Sequence, residues 1–234
     1  MKQIAFTTID STNVYAKLHR NEFARDEITC ITADEQTAGR GKFNRPWLSP
    51  KGANIYATFF FTLPQSTIHL TSLAQVLSFS IAIVLQDLNP AIKWPNDIQL
   101  SGKKLGGVLC EVIFQPEITA VILGFGLNVN IDADYLKQID QPATSLLIET
   151  GRQWNKQELL EKIQRQFEID LHTFKQSGFT PFHSLIQSKL SNKLVRFQDG
   201  KNEIVGIYKS LNEDGSLNIT LPDGTHQKIY TSIE

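Results

Sequence analysis

Residues Lys93–Glu111 read KWPNDIQLSGKKLGGVLCE. Short apolar runs alternate here with turn residues. Strands are predicted around Ile92–Trp94 and Ile98–Leu100, and a longer one over Lys104–Phe114. Ser101-Gly102 sits between the last two as a hairpin turn. Pro95 fixes φ in the preceding turn, and the side chains of Asn96 and Asp97 can bond its backbone. Hairpin-linked strands pair antiparallel, so at least this part of the chain builds an antiparallel or mixed sheet.

Working outward, "ANIYATFFFTL" (53–63) is a strand rich in aromatic and β-branched residues and ended by Pro64, and "ITCITA" (28–33) is a shorter one. Another strand is predicted over Thr119–Asn128. Leu73–Leu88 is apolar nearly all round, which predicts a helix inside a layered domain. Ser11 or Thr12 can cap a weak helical pattern carrying Val14 and Leu18. Lys156–Phe174 has an amphipathic pattern, with Leu160, Ile163, Phe167, Leu171 and Phe174 on one face and Asn155 as its cap. After Ser191 the texture changes to alternation, with turns at Asp199-Gly200, Asp214-Gly215 and Asp223-Gly224, the pattern of a small antiparallel β-module. The fold class is α+β, a mixed or antiparallel sheet packed on helices with a small C-terminal barrel. The expected domains are 1–187 and 188–234.

The chain has 234 residues, with 23 Lys and Arg against 24 Asp and Glu. This balance gives no global mark of a nucleic-acid binder, so any basic function is local. Cys30 and Cys110 lie in apolar surroundings and read as reduced, buried thiols. No His/Cys spacing suggests a zinc site, and the five histidines are scattered. No signal peptide or membrane span is evident, so a soluble, cytoplasmic protein is expected.

Four segments are polar where the pattern asks for core: "DSTN" (10–13), "EQTAGRGKFNRPW" (35–47), the opening stretch, and "GFGLNVN" (124–130). Each alone has an ordinary explanation. "STN" is a helix cap, "WPND" a turn, Lys103-Lys104 solvated hairpin charge, and "GFGLNVN" a bulged strand end. In this order and spacing, "GRG…W", "KWPND", "KKLGG" and "GLN" resemble the biotin protein ligases, over essentially the whole chain.

That resemblance implies a catalytic domain like that of class II synthetases and an SH3-like C-terminal barrel. It implies activation of biotin by MgATP to biotinoyl-5′-AMP, then transfer to a lysine of a biotin carboxyl carrier domain of a carboxylase. Ser11, Thr12 and Gln36 would face the biotin ureido ring, Asn13 would complete the biotin-binding triplet, and Gly39 and Gly107 would let backbone approach the ligand, with Gly41 also at the biotin site. Arg40, Lys42 and Lys104 would serve biotin as well, Lys104 on its carboxylate and Arg40 over the acyl phosphate. Lys42 and Arg45 would lie along the triphosphate, and Trp47, Asn96 and Asn128 on the nucleotide. Lys93 and Asp97 would stand near the reaction centre, with Asp97 the partner of Arg40 or of Mg²⁺; no metal is expected without ATP. The physics fits, because a carboxylate attacking a phosphate needs cations to offset the repulsion of two anions. The family commonly has glycine where this chain has Asn44.

Two other readings stay open. A lipoate or octanoate ligase resembles biotin ligases in fold, although the arginine-rich segment and glycine triplet typical of those enzymes are missing. A non-catalytic biotin-binding regulator is the other. Some family members carry an N-terminal DNA-binding domain; the first motif begins at Ser11, so no such domain and no DNA partner are expected. Monomer and homodimer both occur in the family.

Overall fold

The computed structural model describes residues 1–191, 193–199 and 202–232. A seven-stranded sheet has the order β1-β2-β3-β7-β6-β5-β4. Its strands are β1 (Lys2–Ile9), β2 (Thr29–Gln36), β3 (Ile55–Pro64), β4 (Ala91–Lys93), β5 (Asp97–Leu100), β6 (Lys103–Phe114) and β7 (Ile118–Leu127). β1 and β2 run parallel and the other neighbours antiparallel, so the sheet is mixed as expected. The helices are α1 (Thr12–Leu18), α2 (Leu73–Val84), α3 (Ala133–Leu136), α4 (Leu146–Thr150), α5 (Lys156–Ser177) and α6 (Thr180–Lys189).

The central strand β3 explains the packing. Successive side chains point to opposite faces. Phe59 and Phe61 face one side, where Phe59 stacks on Phe167 of α5 with centroids 4.9 Å apart. Phe60 faces the other side and meets Phe23, 4.8 Å away. Each ring so buried contributes about 1.5–3 kcal/mol. Both faces are covered, which is why the strand reads as a continuous apolar run. Ten consecutive residues of α2, Leu73 through Ala82, are buried between sheet and α5. α5 starts as predicted, with Asn155 Oδ1 accepting from the amides of Gln157 and Glu158. It runs to Ser177 and ends at Gly178, whose φ is 65°.

Three elements depart from expectation. β1 was not predicted: it is an exposed edge strand whose alternation is weak. α6 also lacked a sequence signal beyond Pro181 at its start. At α1, Ser11 occupies the capping position, yet neither its hydroxyl nor that of Thr12 makes a cap bond; Thr12 is engaged elsewhere.

The C-terminal strands β8 (Leu194–Asp199), β9 (Asn202–Leu211), β10 (Leu217–Thr220) and β11 (His226–Ile229) form an antiparallel sheet in the order β11-β10-β9-β8. Gly215 and Gly224 take φ of 81° and 86° in two of the predicted turns. The third turn, Asp199-Gly200, runs into residues outside those described. This sheet is docked on the first unit: Leu217, Ile219 and Phe197 share one apolar cluster with α2 and α5. The Gly215 carbonyl accepts from Trp94 Nε1 at 2.9 Å and from Gln75 Nε2 at 2.7 Å. Among the described residues no helix is long and apolar enough to cross a membrane.

Candidate active site

A cleft of about 830 Å³, open to solvent, runs between α1, the Gly39–Trp47 loop and the β5–β6 hairpin. Its lining joins most of the residues singled out from sequence: Ser11, Thr12, Asn13 and Gln36 at one end, Arg40, Gly41, Lys42, Arg45 and Trp47 on the loop, and Asn96, Asp97, Lys104 and Gly107 on the hairpin. Lys93, Gly39 and Asn128 do not line it.

The polar end is built by α1. Ser11, Thr12 and Asn13 are at most 5 % exposed. Gln36 Oε1 accepts from the Thr12 amide at 2.9 Å, and its Nε2 donates to Ser49 Oγ at 3.2 Å. Thr58 of β3, fully buried, donates to Asn13 Oδ1 at 2.6 Å and lies 2.8 Å from Thr12 Oγ1. Gly124 is close enough that a Cβ there would overlap the Asn13 amide.

The opposite wall depends on a β-bulge. Asp97 pairs with Gly107 and Ile98 with Gly106, but Gln99 pairs with Lys104, which leaves Leu105 as the extra residue. Strand residues three apart normally face opposite sides, and a bulge of one residue cancels that offset. Lys104 and Gly107 therefore share the cleft face. Lys104 Nζ meets Asp97 Oδ2 at 2.8 Å. A Cβ at Gly107 would lie 3.1 Å from Asp97 Oδ1 and 3.5 Å from Lys104 Cε, so glycine keeps this floor open. Lys103 points to the exposed side. Asn96 is tied to β6 in both directions: its Nδ2 donates to the Val108 carbonyl, and its carbonyl accepts from the Val108 amide.

The loop closes on itself. Arg40 and Pro46 form an antiparallel bridge, the Gly41 amide donates to the Arg45 carbonyl, and the Trp47 amide to the Gly39 carbonyl. Phe43 and Asn44 at the tip have φ of 55° and 56°. Asparagine tolerates this left-handed region better than most residues, so Asn44 fits the loop tip. Trp47 lies over the backbone of Gly126, and the Lys104 ammonium is 5.5 Å from its ring. Gly39 packs on Ser49 and the Trp47 carbonyl rather than on the cleft.

Arg40, Lys42, Arg45 and Lys104 line the cleft against one carboxylate, Asp97. Burial holds the Lys42 ammonium below the usual lysine range, with Asp97 opposing the shift. The expected pairing of Asp97 with Arg40 is corrected: Asp97 holds Lys104, while Arg40 donates to Glu111 at 3.2 Å. The bulge decides this, because it turns Lys104 toward Asp97. Asn128 donates to the Thr144 carbonyl and accepts from Asn54, so its amide serves the strand end. Lys93 stands opposite Asp97 in the β4–β5 ladder. Sequence reading missed Thr58, Glu111 and Gln141. Glu111 and Thr58 sit inside strand patterns, and Gln141 in a loop without signal.

The arrangement offers buried neutral hydrogen-bonding groups at one end and concentrated positive charge at the other, joined by Lys104. The model of the biotin/lipoate A/B protein ligase family matches residues 5–128. The bifunctional ligase/repressor BirA of Escherichia coli (strain K12) is 32% identical over 215 residues, 89% of this chain; the chain spans 66% of that protein's length. The biotin–[acetyl-CoA-carboxylase] ligase of Paracoccus denitrificans is 31% identical over 211 residues, 83% of this chain and 85% of that one. Among solved structures, the biotin protein ligase from Aquifex aeolicus in complex with biotin and ATP superposes with a TM-score of 0.80 at 31% identity, covering 99% of this chain and 96% of that one. With the family model covering over half of the chain, and the matched stretch carrying α1, the loop and the bulged hairpin, this protein belongs to the biotin/lipoate A/B protein ligase family.

Proposed function

We propose that the protein is a biotin protein ligase. It joins biotin to MgATP as biotinoyl-5′-AMP with release of pyrophosphate, then transfers the acyl group to a lysine of a biotin carboxyl carrier domain, releasing AMP. The observation that carries this reading is the two-ended cleft. A ureido ring needs neutral donors and acceptors, which Ser11, Thr12 and Gln36 present in a largely buried chamber. A lipoyl dithiolane has nothing to offer those groups, and burying them without partners costs free energy. The polar chamber thus favours biotin over lipoate. The likeness to an Aquifex aeolicus ligase solved with biotin and ATP supports the same choice.

In this reading Lys104 fixes the biotin carboxylate and opposes charge that develops on the acyl phosphate, with Asp97 holding the ammonium in place. Arg40, Lys42 and Arg45 neutralise the phosphates. Trp47 offers an aromatic face at the junction of the two ends, and Asn96 keeps the hairpin turn fixed beside the nucleotide. Among the described residues no three acidic, His or Cys side chains cluster to hold a metal. Mg²⁺ commonly binds through one or two carboxylates plus substrate phosphates, and Asp97 could supply one. Bound with ATP, it would shield the triphosphate. Residues 1–187 would form the catalytic unit and 188–234 the appended module, in a cytoplasmic enzyme.

The test is incubation with biotin, ATP, Mg²⁺ and a carrier domain. The expected result is the mass of one biotinoyl group on a single carrier lysine, absent without ATP. Faster modification with lipoate than with biotin would overturn the assignment, and so would no modification with either.

A further inference from the structure

Glu111 has no part in the reaction as argued so far, yet it touches both halves of the site. It lies on β6, beyond the bulged hairpin. Its Oε2 accepts from Asn13 Nδ2 at 3.0 Å. Its Oε1 accepts from Arg40 Nη2 at 3.2 Å, with Lys17 Nζ 3.8 Å away. The Arg40 Nε is buried and has no hydrogen-bond partner among the described residues, so Glu111 is the contact that places this guanidinium.

The polarity of the chain beyond Asn13 follows from the charge on Glu111. An ionised carboxylate only accepts, so Asn13 must turn its NH₂ toward it and its carbonyl toward Thr58. Thr58 then gives its one proton to Asn13, across 2.6 Å. The contact between the Thr58 and Thr12 hydroxyls, 2.8 Å apart, then takes its proton from Thr12, which gives up its own 3.2 Å bond to Gln36 Oε1. Gln36 Oε1 keeps the Thr12 amide as a donor. One carboxylate therefore sets which way the hydroxyls and amides at the head-group end point. The same carboxylate holds the arginine at the phosphate end.

Resting on the ligase reading, we infer that Glu111 is a positioning residue that couples the two ends of the cleft: it orients the Asn13–Thr58–Thr12 chain for the acyl substrate and holds Arg40 for the phosphoryl oxygens. Glu111→Gln tests this with little change of shape. A carboxamide has one acceptor and one NH₂, so it must turn its NH₂ on either Asn13 or Arg40, both donors.

The experiment measures biotin affinity by calorimetry without ATP, and pyrophosphate release with ATP, for wild type, Glu111→Gln, Arg40→Ala and the double variant. Glu111→Gln should weaken biotin binding by about 3-fold or more and slow pyrophosphate release by about 10-fold or more, the scale of coupled polar networks. In the Arg40→Ala background, Glu111→Gln should change the turnover number for pyrophosphate release by less than about 2-fold, yet still weaken biotin binding, because only the Asn13 branch remains. Glu111→Asp keeps the charge and should recover part of both losses, whereas a purely structural role would respond to the lost methylene instead. Wild-type behaviour of Glu111→Gln overturns the inference, as does an equal loss of turnover with and without Arg40. Should Glu111→Gln fail to fold, Glu111→Asp and Asn13→Ser decide it: unaltered biotin affinity in both overturns the coupling. A wild-type protein that releases no pyrophosphate with biotin and ATP overturns the ligase reading itself, and Glu111's role with it.

Discussion

The cleft has two cationic walls, and they are built in opposite ways. On the β5–β6 hairpin, Lys104 is mostly buried and ion-paired with Asp97. Behind it Leu105 is fully buried, Asn96 is bonded to β6 on both sides, and Trp94 is bolted to the Gly215 turn. On the Gly39–Trp47 loop, residues 43–46 are exposed, two consecutive residues are left-handed, and the Phe43 ring is 63 % in solvent. Its backbone bonds are mostly to itself, and Arg40's contact with Glu111 ties it to the sheet. The difference teaches where each kind of work is done. Under the proposed reaction the Lys104 charge is held before substrate arrives, so its effect needs little reorganisation. The charges proposed for the phosphates ride on a segment with few apolar anchors, the part expected to order on ligand.

The hairpin side should give the largest effect. Lys104→Ala is expected to cost at least ~2 kcal/mol in biotin binding or adenylation, the scale of a buried charge-assisted contact. Lys103→Ala, one residue away on the exposed side, should cost under ~0.5 kcal/mol. Titration calorimetry and pyrophosphate-release rates on both variants check this. Equal behaviour of the two lysines would remove Lys104 from the centre of the site.

The buttress behind the hairpin comes next. Trp94→Phe keeps a buried aromatic ring but removes the pyrrole, leaving a small cavity and deleting the donor to the Gly215 carbonyl. A loss of about 1–3 kcal/mol is expected from the hydrogen bond and the cavity together, read as a Tm lower by at least about 2–4 °C, with weaker biotin binding in step. An unchanged Tm would mean that the C-terminal sheet does not brace this wall.

The loop should respond to ligand where the hairpin does not. Trypsin cleavage after Arg40 or Lys42 is expected to slow several-fold with biotin and ATP together, as a segment drawn from the low-stability end becomes ordered. Identical cleavage rates with and without ligand would erase the contrast between the two walls.

The two walls also differ in how legible they were. The hairpin was readable because Ser101-Gly102 punctuates two β-rich runs, and the resemblance supplied the candidate residues. The bulge at Leu105 was not readable: nothing in "KKLGG" says which residue slips, and simple alternation would put Lys104 and Gly107 on opposite faces. That slip decides that Asp97 meets Lys104 instead of Arg40. Glu111 was hidden for a related reason. It sits 71 residues from Arg40 and 98 from Asn13, and only the sheet order brings them together. Asn128 entered the candidate set through the resemblance alone, and in the structure its amide bonds Asn54 and Thr144 at a strand end. β1 escaped because an edge strand needs no strong apolar alternation to pair on one side.

The smallest expected effect concerns protons on the loop. Lys42 is held below the ordinary lysine range because burial disfavours its charge, while Asp97 only partly opposes this. The unfolded chain then binds more protons than the folded one between the lowered value and the ordinary one. Stability from this group accordingly rises with pH across that window, and its charge is a liability below it. A bound triphosphate reverses the balance, since nearby negative charge favours the ammonium. In the same alkaline window, binding of ATP should therefore be accompanied by uptake of a fraction of a proton at Lys42. Calorimetry in two buffers of different ionisation enthalpy measures that uptake directly. Lys42→Met should abolish it, whereas removal of a surface cation such as Lys103 should leave it intact. Uptake that persists undiminished in Lys42→Met would place the titrating group elsewhere, and the loop would then meet the phosphates with its charges already set, as the hairpin does.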